Sequence, residues 1–317
     1  MKKFIINIFI FLLPFLIIGM LLEMSLRNIP NNYSLKKKYL DNHSDQIQTL
    51  LLGNSHVLYG LNPNYFDTKA FNTGNVSQSF NYDCEIFMKY APKLSHLENV
   101  VISFSPLFLF WDLSKGVESW RNKNYVIYYD INITHSLDYS FELTSQNAKE
   151  NLKRLYAFYK YGQTNITCSE LGWGTNYNSQ NALDLTTTAD HEVAKHAAIF
   201  LHHESLMDNY KNNIKYLNVL FDYCQKHNIK VLMLYPPSHE TYRKGIEAIN
   251  LDQKEKLVTM CYNTVNEITS KYPCCKFIDL HRDPNFIDED FYDSNHLSDK
   301  GAKKLSLMVN SILTNWN

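Results

Sequence analysis

The sequence predicts an α/β fold, a three-layer α/β/α arrangement around a parallel sheet, preceded by one transmembrane helix. Short apolar runs of strand length alternate with stretches that have one apolar helical face, and a long uncharged apolar run opens the chain. Strands that are apolar throughout are buried on both faces, which is typical of parallel sheets covered by helices. The 317-residue chain is 45% hydrophobic with a formal net charge of −1. This composition excludes disorder and argues against a nucleic-acid partner.

The N-terminal segment, 1–24, is predicted to be a signal anchor. Two lysines precede the apolar run Phe4–Leu22, which would span about 28 Å as a helix, close to the hydrocarbon thickness of a bilayer. No cleavage pattern of small residues follows, which favours an anchor over a removed signal peptide. The lysines before the run predict a single pass through the inner or plasma membrane with the body outside the cytoplasm, although Arg27 and the lysines at 36–38 oppose this orientation.

The rest of the chain divides into a stem and a domain. Residues 25–45 are polar and are predicted to be a stem that lifts the domain off the membrane. Residues 46–317 are predicted to form the domain, interrupted by an insertion at about 107–205. The insertion is rich in Tyr, Asn and Trp; it either shapes a cleft or partner surface or is a structural elaboration.

Within the domain, strands and helices follow one another in the order that a parallel sheet requires. Ligands bind such sheets beyond the carboxyl ends of the strands, so side chains that follow strands are the candidates for a site. Strands are predicted at 48–52, 99–104, 229–235 and 275–280, and helices at 80–94, 208–228, 251–271 and after Ser298.

Two short motifs stand at the ends of the first and last predicted strands. Gly53-Asn54-Ser55-His56 follows the first strand, where a tight turn would present the Ser55 hydroxyl to the cleft. Asp293 and His296 precede the last helix, at a spacing that lets a carboxylate orient an imidazole, which can then take a serine proton. A serine at a helix start is more often a cap than a nucleophile, and the Asp–His motif alone also fits a helix-capping loop, but the pair predicts a catalytic triad.

These motifs resemble those of the SGNH (GDSL-like) hydrolase superfamily, whose sheet is flavodoxin-like. The similarity is closest to its membrane-anchored cell-envelope branch, which includes the D-alanine transfer protein of teichoic-acid synthesis and the alginate acetylation proteins. It covers about residues 46–106 and 208–313 and leaves out the insertion. The resemblance implies that Ser55 is the nucleophile, His296 the general base and Asp293 its orienting carboxylate.

The oxyanion hole departs from the family pattern. The family's second block supplies a glycine where this chain has Ser77 and Gln78, and a backbone N–H can serve with any side chain. The third block supplies an asparagine after the next strand; this chain has none there, and Ser105 is the predicted replacement. Loss of one oxyanion donor can cost ~100- to 1,000-fold in rate.

The resemblance implies a serine acyltransferase that modifies a cell-envelope glycan through an acyl-enzyme. A glycan O-acetyl esterase is the first alternative, and an inactive binding or scaffold protein of the same fold is the second. The expected partners are the membrane, a glycan and a membrane-bound acyl-carrying O-acyltransferase; no cofactor is expected. The residues His191, His196, 202–203 and Glu204 are of types that bind zinc, but adjacent histidines diverge on a helix, so no metal is predicted.

Overall fold

The computed structural model describes residues 1–144, 146–200, 203–249 and 252–316. Strands and helices alternate along the domain as the pattern of apolar runs predicts. The strands are β1 Thr49–Leu52, β2 Ala70–Asn72, β3 Asn99–Ser103, β4 Lys230–Tyr235 and β5 Cys275–Asp279. The helices are α1 Lys2–Arg27, α2 Asn32–His43, α3 Ser55–Gly60, α4 Phe80–Tyr90, α5 Pro106–Leu109, α6 Asn122–Asn124, α7 Ala148–Tyr161, α8 Leu185–Phe200, α9 His203–Lys226, α10 Glu240–Ala248, α11 Asp252–Lys271 and α12 Asp299–Thr314.

The strands form one parallel five-stranded sheet in the order β2-β1-β3-β4-β5. This is the flavodoxin-like order, in which the chain reverses direction across the sheet beside β1. The register pairs Leu52 of β1 with Ile102 of β3, so both strands end at the same edge. The predicted fold class is therefore confirmed, and the loops after β1 and β3 meet where the predicted site should lie.

Alternate strand residues face two separate apolar cores. Leu50 of β1 packs into the core that α4, α9 and α11 cover, whereas Leu51 packs into the core under α12. Because every side chain of β1 and β3 is buried on one face or the other, these strands read as continuous apolar runs. Leu305 of α12 and Val57 of α3 share the second core, which holds the last helix against the helix that starts at Ser55.

The N-terminal helix extends from the domain. Within the described residues, α1 is the helix long and apolar enough to cross a membrane, and most of its large apolar side chains are exposed. The segment expected to be a stem differs from that expectation, since α2 packs on the domain. Tyr33, Lys36 and Leu40 of α2 are buried, and Lys36 donates to the Gly74 backbone carbonyl. A helical period places these three side chains on one face, so a segment that is polar overall still docks.

Candidate active site

The turn after β1 is tight because two neighbours leave no room for a side chain. Gly53 has φ of +140°, a conformation that favours glycine. A Cβ there would lie 2.8 Å from Ser103 Cβ and 2.9 Å from Val57 Cγ2. The Asn54 side chain then accepts a hydrogen bond from the His56 N–H at 2.9 Å and caps α3. The sharp turn and the cap set Ser55 at the first position of the helix.

Ser55, His296 and Asp293 form a continuous hydrogen-bonded chain. Ser55 Oγ lies 2.8 Å from His296 Nε2, and His296 Nδ1 lies 3.0 Å and 3.1 Å from the two carboxylate oxygens of Asp293. Asp293 Oδ1 also accepts the backbone N–H groups of Asn295 and His296, both at 2.8 Å. These backbone bonds hold the carboxylate in place, so it orients the imidazole with Nε2 toward the serine.

The electrostatics of the pair match this arrangement. Burial alone would lower the pKa of His296, but the Asp293 carboxylate outweighs burial and raises it above the ordinary histidine value. Burial would likewise raise the pKa of Asp293, but His296 and the backbone donors hold it below its usual range. Asp293 is therefore ionised at neutral pH, and His296 is a stronger base than an isolated histidine.

Aromatic rings fix the position of the His296 ring. His56 stacks on it with centroids 5.0 Å apart, and Tyr177 meets it edge-on at 5.4 Å. Tyr177 is itself stacked between Tyr59 and Tyr292, at 3.6 Å and 4.0 Å. Burial, and then His296 and other histidines, lower the pKa of His56 well below the usual range. A neutral His56 adds no positive charge beside the base.

Of the predicted oxyanion residues, Ser77 and Ser105 line the cleft with the triad, and Gln78 is absent from its lining. Ser77 has φ of +60°, a left-handed conformation that is uncommon outside glycine. Its hydroxyl donates to Glu118 at 2.6 Å, and its carbonyl accepts from Trp111 Nε1 at 2.9 Å. These two contacts, both from residues within 107–205, hold Ser77 in this conformation.

Gln78 and Ser105 are already engaged in local bonds. The Gln78 N–H donates to the Asn75 carbonyl at 3.2 Å, and its fully buried side chain bonds Asn75 and Asp83. Ser105 Oγ caps α5 by accepting the Phe108 N–H at 3.3 Å, which leaves its hydroxyl proton available to the cleft. Of Ser77 and Gln78, Ser77 is thus the residue whose backbone N–H does not donate to Asn75.

A buried acid, Asp83, stands behind the turn. It is fully buried on α4, accepts from Gln78 Nε2 at 2.6 Å and lies beside the Gly53 backbone N–H. Its second oxygen finds no hydrogen-bond partner among the described residues. Burial raises the pKa of Asp83 to about 8, so the carboxyl is mostly protonated at neutral pH. The sequence interpretation did not single it out, because a lone Asp on a helix carries no distinguishing pattern.

The triad opens into a cleft of about 510 Å³ whose walls come largely from the region 107–206. The lining combines apolar side chains with polar and charged groups. The apolar side chains include Leu107, Phe108, Phe110, Trp111, Val117 and Leu206; the polar groups on 177–196, here called the polar wall, include Tyr177, Glu192, Lys195 and His196. Such a mixed cleft suits a ligand with an apolar part and a hydroxyl-rich part.

The polar wall contains a second histidine, His196 of α8. Its Nδ1 lies 2.6 Å from the Tyr242 hydroxyl, and Glu192 is 4.0 Å from Nε2. Burial lowers the pKa of His196 to about 4, so the ring is neutral at pH 7. Glu192 also accepts from the Asn295 side chain at 3.4 Å, which ties this wall to the triad loop. Sequence reasoning missed Glu192 and Tyr242, since only the fold brings α8 and α10 to the cleft.

Within the histidine-rich region, the structure describes the side chains of His191 and His196. His191 is exposed, and His196 Nδ1 contacts the Tyr242 hydroxyl. Residue 202 lies outside the described residues, as do the side chains at 203 and 204. Among the side chains described, no group of three or more His, Cys, Asp or Glu could hold a metal ion.

No family model and no curated protein matches the chain. Among solved structures, the chain is similar to one from Streptococcus pneumonia provisionally described as a platelet activating factor, with a TM-score of 0.41 and 11% sequence identity. The alignment covers 89% of this chain and 91% of that one. A likeness at this level assigns no activity, so the function must be argued from the side chains of the cleft.

Proposed function

We propose that the protein is a serine acyltransferase in which Ser55 carries the acyl group as an ester. The observation that carries the proposal is the Ser55–His296–Asp293 chain, with contacts of 2.8 Å and 3.0 Å, opening into the cleft. A serine hydroxyl is a weak nucleophile unless an oriented base takes its proton. His296 is that base, and the ionised Asp293 stabilises the imidazolium that forms.

The first half-reaction forms the acyl-enzyme. Ser55 Oγ attacks the acyl carbonyl carbon while its proton passes to His296 Nε2, and the carbonyl oxygen becomes an oxyanion. The backbone N–H of Ser77 and the hydroxyl of Ser105 are the proposed donors to that oxyanion. Collapse breaks the bond to the leaving group, which takes the proton from His296, so the imidazole is neutral again.

The second half-reaction transfers the acyl group to an acceptor hydroxyl. His296 takes the hydroxyl proton as the acceptor oxygen attacks the Ser55 ester, and it returns that proton to Ser55 Oγ when the ester bond breaks. The polar wall with Glu192, His196 and Tyr242 offers hydrogen-bonding groups to a sugar. We propose a cell-envelope glycan as acceptor and an acyl-carrying membrane O-acyltransferase as donor, with α1 in the membrane and the domain outside the cytoplasm.

The first test is covalent labelling of the full chain with a fluorophosphonate probe. Ser55→Ala is expected to abolish labelling, because the probe needs the activated hydroxyl. The matched control is Ser238→Ala, since Ser238 also lines the cleft and bonds a histidine, His281, at 3.1 Å. If labelling survives in Ser55→Ala or vanishes in Ser238→Ala, the nucleophile is misassigned.

The second test separates transfer from hydrolysis. The purified chain should be slow on p-nitrophenyl acetate yet form the Ser55 adduct, because partner delivery of the acyl group supplies proximity that free esters lack. Adding a glycan acceptor should speed deacylation and leave acyl groups on the sugar, detected by mass spectrometry. Release of acetate from acetylated glycan, with no acylated product from any acceptor, would instead assign an esterase.

A further inference from the structure

Helix α7 presents an apolar and aromatic face to solvent. At 100° per residue, Ala148, Leu152, Tyr156 and Tyr159 fall within an arc of about 80°. We call these four residues the outer face of α7. All four are exposed, with exposed fractions of 59% for Leu152, 55% for Tyr156 and 60% for Tyr159. Asn151 of α7 is buried, and Arg154, Leu155, Ala157 and Phe158 are half-buried. The helix thus docks through these residues and leaves its outer face exposed.

Exposed lysines lie beside the tyrosines of the outer face, a combination typical of a membrane interface. Lys149, Lys153 and Lys160 are exposed and follow the outer face along one side. Lys160 lies over the rings of Tyr156 and Tyr161 at 4.8 Å and 5.3 Å. Tyrosine rings with neighbouring lysines are enriched where protein meets lipid headgroups, since the ring is apolar and its hydroxyl and the ammonium stay wet.

This face lies beside the point where the anchor helix leaves the domain. Helix α7 contacts α1 directly. The preceding loop is bonded to the end of α1, where Arg27 donates to the Ser140 carbonyl at 2.7 Å. That loop exposes Phe141 (50%) and Leu137 (78%) as well. The exposed apolar groups therefore continue from the apolar helix onto the domain surface.

The contact between this loop and α1 also gives the Glu23 carboxylate, which follows the apolar run, its hydrogen-bond partners. Glu23 accepts the backbone N–H groups of Glu142 and Leu143 at 3.0 Å and 2.8 Å, and it pairs with Arg27 at 2.5 Å. A carboxylate near the hydrocarbon boundary is costly unless it is paired in this way. The bonds hold the loop, and α7 after it, at the level where α1 would emerge from lipid.

We propose that the outer face of α7 lies in the headgroup region of the bilayer, so that the domain is seated on the membrane by a second contact besides α1. The proposal concerns position and holds whether or not Ser55 transfers acyl groups. An amphipathic helix with aromatic and lysine residues binds the interface through apolar burial and attraction to anionic lipids. With α1 and α7 both in contact, the domain has one orientation on the membrane.

The test places a photocrosslinking amino acid in the full chain, reconstituted in nanodiscs of phosphatidylcholine and phosphatidylglycerol. Benzoylphenylalanine replaces Tyr156 or Tyr159 in separate variants, and Val219 of α9 or Leu307 of α12 in the controls. The controls are matched in exposure, at 48% and 47%. Lipid adducts identified by mass spectrometry are expected several-fold more often at the α7 positions than at the controls. Thermal melting checks that each variant is folded.

Two results would overturn the proposal. Lipid adducts at Tyr156 and Tyr159 no more frequent than at Val219 would show that α7 faces water. Crosslinks to a second copy or to an added membrane protein, in place of lipid, would assign the outer face to a protein partner.

Discussion

Replacing Asp293 by Asn tests the proposed role of His296 as the base more sharply than removing the Asp293 side chain would. Asn can keep its oxygen on the two backbone donors that Asp293 Oδ1 accepts at 2.8 Å. Its NH₂ group then takes the place of Oδ2, 3.1 Å from His296 Nδ1. Because that NH₂ donates, it forces Nδ1 to accept, and the imidazole proton moves to Nε2. The ring then donates to Ser55 Oγ instead of accepting its proton.

The same substitution in another serine triad lowers the rate by roughly 10⁴, which corresponds to about 5.5 kcal/mol in activation free energy. A loss of that order is expected in the rate of fluorophosphonate labelling, with the melting temperature little changed. Asp288→Asn is the matched control, because Asp288 also contacts a histidine, His239 Nε2 at 3.1 Å, away from Ser55. A labelling rate for Asp293→Asn within tenfold of wild type, a difference of less than about 1.4 kcal/mol in activation free energy, would refute the assignment of His296 as the base.

Three further outcomes are expected. The labelling rate should rise with pH, because only the neutral His296 ring is a base. The midpoint should lie above the ordinary histidine value, because Asp293 raises the pKa of His296. Stopped-flow labelling of Asp293→Asn should show a lower midpoint. Ser77→Gly should keep the labelling rate within a few-fold, since the backbone donor stays and glycine favours positive φ; a loss as large as that of Ser55→Ala would contradict this. The folded pKa of Asp83, about 8, exceeds its unfolded value of 3.8, so stability should fall as pH rises between these values, by at most about 1.4 kcal/mol per pH unit. In urea melts from pH 5 to 8, Asp83→Asn should flatten this slope; an unchanged slope would mean that another group titrates.

The central strands and the triad geometry could be predicted because each depends on a local pattern. The predicted strand at 229–235 is Lys230–Tyr235 in the structure, and the helix after Ser298 is Asp299–Thr314. Ser55 and His296 meet because parallel strands end at one edge, which a pattern of alternating elements implies. Their catalytic roles and the domain limits stay predictions.

Features that depend on tertiary contacts could not be predicted from the sequence. Strand β2, Ala70–Asn72, is too short to show a period of its own. Lys36 belongs to the polar segment predicted to be a stem, yet the fold buries it against the Gly74 carbonyl, and burial lowers its pKa to about 8. Tyr177 reaches the cleft because residues 171–177 lie against β2 and α3, and Glu192 reaches it on α8, which packs against α10. No local pattern in the sequence records these contacts.

The triad joins the two ends of the domain, with Ser55 just after the first strand and His296 just before the last helix. A chain still on the ribosome, or halfway through a translocation channel, therefore holds a serine that has no base. In the mechanism proposed above, the hydroxyl therefore gains its base only when α12 has been released and packed against α3. The proposed reaction is thus delayed until the whole domain has been synthesised and folded. A ribosome-bound chain stalled before residue 296 should resist fluorophosphonate, whereas the released chain should react.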